Sequence, residues 1–290
     1  MRTLFQAAFF VFVYFDGLFG RFLGGAAARF RLSGATGYLC LPGYNCSACD
    51  WVSVGCPIGM IQFVVSRLRF MPFYVLGALA TVGLVVGSMP CGWFCPVGFV
   101  QDLVWRLRSR LSTRTYSIPY ALRYVKYVFL VVLVIGLPLL FGSSHPWAEN
   151  PFCDYVCAVG AATVGVPRGI EFGIGALNPD PWTWIRYGLL AMTVVLWWFV
   201  RRPICKLFCP VLAIMGLFNR VSLYQLHVDV PRCTGCGECR AVCHMDICVV
   251  DDPASPECTR CLKCRDVCPH ACVEFRAGRV PSRRVAGEPG

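Results

Sequence analysis

The chain has 290 residues, of which 57% are hydrophobic and 15% are charged, and its formal net charge at pH 7 is +11. Its mean hydropathy of +0.58 is too high for a soluble pair of domains. Composition therefore excludes an ordinary water-soluble enzyme and predicts a protein that is embedded in a bilayer.

Four apolar stretches predict transmembrane helices, at residues 3–20, 70–89, 119–142 and 182–200. Residues 70–89 carry no charge and, at about 1.5 Å per residue, can cross a hydrocarbon core of about 30 Å. The third and fourth stretches are charged only near their starts, where long side chains can reach the interface. Asp16 interrupts the first stretch, for which a cleaved signal peptide is the alternative; its length favours an uncleaved anchor.

A C-x3-C loop recurs between the predicted spans. Complete copies place cysteines at Cys91 and Cys95, at Cys205 and Cys209, and at Cys153 and Cys157. A variant copy ends at Cys56, with Val52 in the place of the first cysteine and Cys46 and Cys49 just upstream. A proline follows the second cysteine in every copy except the third, which has Ala158, and proline suits the first turn of a following helix. The chain is thus predicted to be an internal duplication in which each half is a loop, a span and a loop.

The number of spans decides which cysteines can share a cluster, because successive copies fall on opposite faces of the membrane. A [4Fe-4S] cubane needs four thiolates. The predicted inner set is Cys91, Cys95, Cys205 and Cys209, and the predicted outer candidates are Cys153, Cys157 and Cys56 with Cys46 or Cys49. Buried structural cysteines are the alternative for the inner set, and disulfides are the alternative for the outer set. Cys40 has no assignment.

Arginines set the predicted orientation. Residues 96–118 contain four arginines and one acid, whereas residues 143–181 contain one arginine and four acids. The excess of positive charge on cytoplasmic loops places the first segment inside the cell and the second outside. Residues 20–69 are predicted to lie outside although they contain five arginines.

Residues 99–111 predict an amphipathic helix with interleaved arginines. Such a helix is typical of the interface with anionic lipid. We expect no nucleic-acid partner, because this helix lies between a cysteine loop and a span. Contact with anionic lipid also explains the net charge of +11.

Two copies of C-x2-C-x2-C-x3-C follow near the C-terminus, and this spacing is typical of a two-cluster ferredoxin. In each copy three cysteines surround one cubane and the fourth ligates the other. The first predicted ligand set is Cys233, Cys236, Cys239 and Cys268, and the second is Cys258, Cys261, Cys264 and Cys243. A zinc ribbon leaves no role for the third and fourth cysteines. Cys248 and Cys272 are interpreted as core residues.

The ordered motifs CGWFCPVGFVQDLVWRL, IPYALRYVKYVFLVVLV and RPICKLFCPVLAIMGLFNRVSL, followed by the ferredoxin spacing, resemble the polyferredoxin-type membrane proteins that include NapH, MauN and the C-terminal part of NosR. Residues 38–60 resemble an uncharacterised branch of 4Fe-4S membrane proteins with extra cysteines. The resemblance implies electron transfer, often described as quinol dehydrogenase activity. It supplies no quinone motif that can be assigned to named residues.

The predicted fold is mainly α: a helical membrane domain over residues 1–223, an α+β two-cluster ferredoxin domain over residues 224–276, and a polar tail over residues 277–290. The predicted protein spans the cytoplasmic membrane several times, keeps its ferredoxin domain in the cytoplasm and holds three to four [4Fe-4S] clusters. It is expected to relay electrons between a membrane or extracytoplasmic partner, with quinone as one candidate, and a cytoplasmic carrier protein. The alternative is a cluster-dependent factor that assembles or reduces a metal site in another redox enzyme.

Overall fold

The computed structural model describes residues 2–8, 57–68, 73–109, 116–142, 150–157 and 181–278. These residues are mostly helical and include one two-stranded sheet. The chain divides into two compact units, which are residues 1–78 with 94–211 and residues 79–93 with 212–290. The second unit therefore contains residues 79–93 and 212–223 in addition to the predicted ferredoxin domain.

Nine helices are labelled in chain order within the described ranges. They are α1 (Pro57–Leu68), α2 (Phe73–Val86), α3 (Met89–Trp93), α4 (Pro96–Ser109), α5 (Tyr120–Phe141), α6 (Pro181–Phe199), α7 (Pro210–Leu217), α8 (Glu238–Ala241) and α9 (Lys263–Val267). Short 3-10 or π turns occur at Phe152–Val156, Ile204–Phe208, Phe218–Arg220 and Val230–Arg232. Residues 2–8 are also helical.

Within the part of the chain that the structure describes, α5 is the one helix long and apolar enough to cross a membrane, judged by length and composition. It has 22 residues and a hydropathy of 2.3, and only 17% of its most apolar window is buried. It coincides with the predicted span 119–142. The other apolar helices are shorter, over Pro57–Ser66, Phe73–Val86 and Tyr187–Phe199. Most of the predicted span 3–20, the acidic loop beyond residue 157 and the tail beyond residue 278 lie outside the described residues.

The first unit buries charged side chains together with its apolar core and exposes many large apolar side chains. Its buried charged side chains are Asp102, Arg108, Arg123, Lys126, Arg202 and Lys206. Its large exposed apolar side chains include Phe73, Leu103, Leu107, Val131, Leu140, Val195 and Trp198. Helix α4 shows the pattern on a single element, since Leu103 and Leu107 point outward while Gln101 and Asp102 are buried.

The second unit has a conventional apolar core around a small sheet. Strands β1 (Tyr224–Val228) and β2 (Val273–Ala277) pair antiparallel, with Leu226 opposite Phe275. Leu226, Val249, Leu262, Cys272 and Val273 form the buried cluster. The sheet brings the two ends of the ferredoxin sequence together and so closes the cysteine loops between them.

Candidate metal centres

The four cysteines of the first predicted ferredoxin set line one cavity of about 210 Å³. Gly235 and Gly237 lie between these cysteines at φ of +70° and +77°, which only glycine adopts without strain. They turn the loop tightly enough for its successive thiols to border the same space. Cys236 is exposed, so this cavity faces the surface of the second unit.

The second predicted set lines a narrower cavity, at which Cys243, Cys258, Cys261 and Cys264 meet. Arg260 and Leu262 take positive φ values of 47° and 61°, and the loop turns at both residues. Burial, and next the neighbouring Cys261, raises the pKa of Cys264 to about 12, and burial raises the pKa of Cys258. Since metal ligands must be thiolates, loading this site releases protons.

Both cavities have the donor set that a cubane requires. No group of three or more His, Cys, Asp or Glu residues converges on a single metal ion in the described parts of the chain. A cubane binds its thiolates at four separate corners, so it fits thiols that are spread around a cavity better than a single ion would.

Cys248 and Cys272 also line the first cavity. Cys272 belongs to the apolar core, as the sequence predicted. Its sulfur lies 3.2 Å from the sulfur of Cys268. Sequence reasoning missed this contact with a predicted ligand.

Two copies of the C-x3-C loop have nearly the same backbone. In each a proline opens a π turn that holds the first cysteine, and the amide of the second cysteine donates to a carbonyl five residues earlier. The bonds are Cys157 N to Phe152 O at 2.8 Å and Cys209 N to Ile204 O at 2.9 Å. Both second cysteines are extended, with ψ of 104° and 105°. Pro57, Pro96 and Pro210 each begin a helix after a loop cysteine, which confirms the predicted role of these prolines.

The first cysteine of each turn is buried against a glutamine. Gln101 Nε2 donates to Cys205 Sγ at 3.5 Å, and the Cys153 thiol donates to Gln62 Oε1 at 3.0 Å. Gln62 stands six residues after Cys56, and Gln101 stands six residues after Cys95. Both halves of the duplication therefore place a glutamine against the first cysteine of the turn, but the hydrogen bonds run in opposite directions, since Gln62 Nε2 donates to Leu133 O instead. The equal spacing in the sequence was the signal that could have identified both glutamines.

Charged side chains are buried around the turn at Cys205. Arg202 donates from Nε and Nη2 to the two carboxylate oxygens of Asp102, at 2.8 and 2.7 Å. Arg2 donates to the same carboxylate at 2.6 Å. Lys206 is fully buried within the turn. Burial, and next the neighbouring Cys205 sulfur, raises the pKa of Cys95 to about 11.

The four cysteines of the predicted inner set are divided between the two units. Cys95, Cys205 and Cys209 belong to the first unit, and Cys91 belongs to the second. In the outer set Cys153 and Cys157 are described, whereas Cys46, Cys49 and Cys56 lie outside the described residues, as does Cys40.

Comparison with known families gives two matches to one model, described as a 4Fe-4S binding domain, over residues 69–115 and 182–229. Each match contains one loop of the predicted inner set, Cys91 with Cys95 or Cys205 with Cys209. The same model therefore matches both halves of the proposed duplication.

Several known proteins are similar over part of their length. An uncharacterised protein of Methanocaldococcus jannaschii is 26% identical, and the alignment covers 67% of each chain. The methylamine utilization ferredoxin-type protein MauN of Methylorubrum extorquens is 32% identical over 55% of this chain and 49% of its own. The ferredoxin-type protein NapH of Haemophilus influenzae is 30% identical over 55% and 48%. The regulatory protein NosR of Pseudomonas aeruginosa also matches. In these matches the chain is similar to the NapH-, NosR- and MauN-like polyferredoxin proteins.

The matched region spans about half the length of MauN and NapH. The two 4Fe-4S matches and these similarities support iron-sulfur binding and a relation to ferredoxin-type proteins. No solved structure matches the chain.

Proposed function

We propose that this protein is an integral-membrane electron relay that carries single electrons between a membrane or extracytoplasmic donor and a cytoplasmic acceptor. The observation that carries the proposal is the grouping of the ferredoxin cysteines around two cavities, each lined by one complete predicted ligand set. Bound [4Fe-4S] clusters would supply one-electron chemistry at both sites.

The buried charges and the exposed apolar side chains of the first unit support a bilayer as its solvent. A soluble protein rarely buries this many cations while it exposes whole helix faces of leucine, valine and phenylalanine. In a bilayer the same arrangement is favourable, because ionisable groups within membrane helices face the protein interior. The low burial of α5 argues against a core helix of a soluble domain.

The matching turns support cluster sites in the membrane half. We assign an inner site to Cys91, Cys95, Cys205 and Cys209, and an outer site to Cys153 and Cys157 with Cys56 and Cys46 or Cys49. The equivalent backbone, with a glutamine against the first cysteine of each turn, favours one function for both copies. If one copy ligates a cluster, a disulfide is the poorer interpretation of the other.

Four spans and a cytoplasmic ferredoxin domain complete the proposal. Quinone is a candidate donor or acceptor, and the soluble partner is a small redox protein. Reporter fusions test the topology: fusions after Arg114 and Phe275 should behave alike, and one near Asn178 should behave oppositely. A cytoplasmic signal near Asn178 would contradict the proposed orientation.

The central experiment is anaerobic purification followed by iron analysis and an EPR-monitored redox titration. We expect about 12 to 16 iron atoms per chain, which corresponds to three or four cubanes. Eight irons in a fully reconstituted preparation would show that the membrane cysteines do not ligate clusters.

A cluster-dependent maturation factor is the alternative, because the same clusters could reduce a metal during assembly of another enzyme. A relay should be reoxidised rapidly by quinone analogues or a partner protein. A maturation factor should become dispensable once its client enzyme has been built, and depletion after that point distinguishes the two functions.

A further inference from the structure

Arg260 joins the second ferredoxin site to a helix end in the second unit. It lies between Cys258 and Cys261 and is buried. Its Nη1 donates to Val86 O at 3.1 Å, at the last residue of α2, and its Nη2 donates to Asn219 O at 2.7 Å. The same Nη1 donates to Ser222 Oγ at 2.7 Å and to Tyr224 O at 2.5 Å. One guanidinium thus connects the cluster loop to α2 and to the chain that enters the ferredoxin fold.

Neighbouring side chains strengthen this connection. Asn219 Nδ2 donates to the carbonyls of Ser255 and Cys258, each at 2.9 Å, and the Ser88 hydroxyl donates to Cys258 O. Trp93 Nε1 donates to Arg260 O at 3.3 Å. Several of these bonds end on the backbone of the loop that holds Cys258, so the position of that loop is fixed by residues outside it.

Gly92 brings the backbone beside Cys91 directly against this loop. A Cβ at Gly92 would overlap the carbonyl oxygen of Thr259 and would lie 3.2 Å from both the N and the Cα of Cys261. Only glycine permits so close an approach of two backbones. Cys91, a predicted ligand of the inner membrane site, is therefore the immediate chain neighbour of a residue packed on Cys261.

The geometry points to Arg260 and Gly92 as positioning residues that hold the second ferredoxin site, and not the first, against the Cys91 segment. The second site then exchanges electrons with the inner membrane site, and the first site, with its exposed Cys236, meets the soluble partner. Each transfer moves one electron from one cubane to the next, so one is oxidised as the other is reduced and no bond is made or broken. The electron path rests on the proposed function, whereas the docking of the two segments does not.

Hydrogen exchange of the purified holoprotein tests the docking. Arg260→Lys keeps the charge but cannot reach all four acceptors, and Gly92→Ala adds the overlapping methyl group. Both should speed amide exchange in residues 84–93 and 258–262 about tenfold. Gly77→Ala is the matched control, because a Cβ at Gly77 has nothing within 4 Å. Exchange as slow in both variants as in the control would overturn the docking.

Freeze-quench EPR with reduced methyl viologen tests the electron path. In Gly92→Ala the ferredoxin signals should appear at the wild-type rate, while the inner-site signal loses its fast phase. Wild-type kinetics for the inner site, despite faster hydrogen exchange, would overturn the assigned order of clusters. If Gly92→Ala fails to fold, Trp93→Phe removes one hydrogen bond to Arg260 O and is measured in the same way.

The two arms separate failure of this inference from failure of the proposed function. A wild-type protein with no inner-site iron would refute the membrane relay, and hydrogen exchange would still decide whether Arg260 and Gly92 dock the two segments. Full inner-site iron, with hydrogen exchange and EPR kinetics unchanged in both variants, would leave the relay intact and refute the docking of the two segments.

Discussion

The two copies of the cysteine turn in the first unit share a backbone but differ in charge. The inner copy is Cys205–Cys209 with Gln101, and the outer copy is Cys153–Cys157 with Gln62. The inner copy has Arg202, Lys206 and Asp102 where the outer copy has Asn150, Asp154 and Phe63. Duplication therefore preserved the thiols, the turns and the glutamines, while the electrostatic surroundings diverged. Since buried positive charge favours the more negative reduced cluster, we expect the inner site to be reduced more easily.

Removing one thiol from each copy tests whether the copies are separate sites and should give the largest effect. Cys205→Ala should remove about four iron atoms per chain and one EPR signal, because a cubane needs its full ligand set. Cys153→Ala should remove a different signal and leave that of the inner site unchanged. Iron analysis and EPR of each purified variant provide the measurement. Loss of the same signal in both variants would contradict two separate sites.

The buried ion pair beside the inner turn should matter more for stability than a surface pair. Arg202→Met leaves the buried Asp102 carboxylate with less compensation and should lower the free energy of unfolding by about 3–5 kcal/mol. Arg232→Met, which breaks an exposed pair with Asp229 in the second unit, should lower it by about 0–1 kcal/mol. Thermal unfolding in one detergent compares the two variants. Equal losses would mean that the Arg202 pair is effectively solvated.

Sequence alone could predict the elements near these sites because their signals are local. The prolines after Cys56, Cys95 and Cys209 marked helix starts, and the apolar run at 119–142, which is charged only near its start, marked α5. Each predicted ferredoxin ligand set lines one cavity, although Cys239 lines both cavities and Cys248 and Cys272 also line the first. These contacts of Gln62, Gln101, Arg202 and Arg260 depend on residues 41 to 174 positions away. No local pattern fixes such partners. The break of α2 after Val86 was also missed, because Gly87 takes φ +61° beside Arg260 and Asn219.

Removing the charged side chain of each turn should alter the difference in reduction potential between the two clusters. A unit charge about 10 Å from a cluster contributes about 1.7 kcal/mol at an effective dielectric constant of 20, or about 70 mV for one electron. Lys206→Met should lower the potential of the inner cluster by about this amount. Asp154→Asn should raise the potential of the outer cluster, and the two changes together should narrow the gap. EPR-monitored redox titration measures both; an inner potential insensitive to Lys206→Met would show that the charge difference has no role.

The smallest expected effect comes from the glutamines, which the two copies have in common. Hydrogen bonds to ligand sulfurs help to set cluster potentials, and a bond of about 0.5–1.5 kcal/mol corresponds to roughly 20–60 mV for one electron. Gln101→Leu should lower the inner potential by this amount, because the Gln101 amide donates to Cys205 Sγ. Gln62→Leu should leave both potentials nearly unchanged, because Gln62 Nε2 donates to Leu133 O and its oxygen faces the Cys153 sulfur. Cys272→Ala gives a parallel test in the ferredoxin domain, where the thiol 3.2 Å from Cys268 should affect only the first cluster. A lowered outer potential in Gln62→Leu would contradict this expectation and would show that the Gln62 amide donates to the Cys153 sulfur once a cluster is bound.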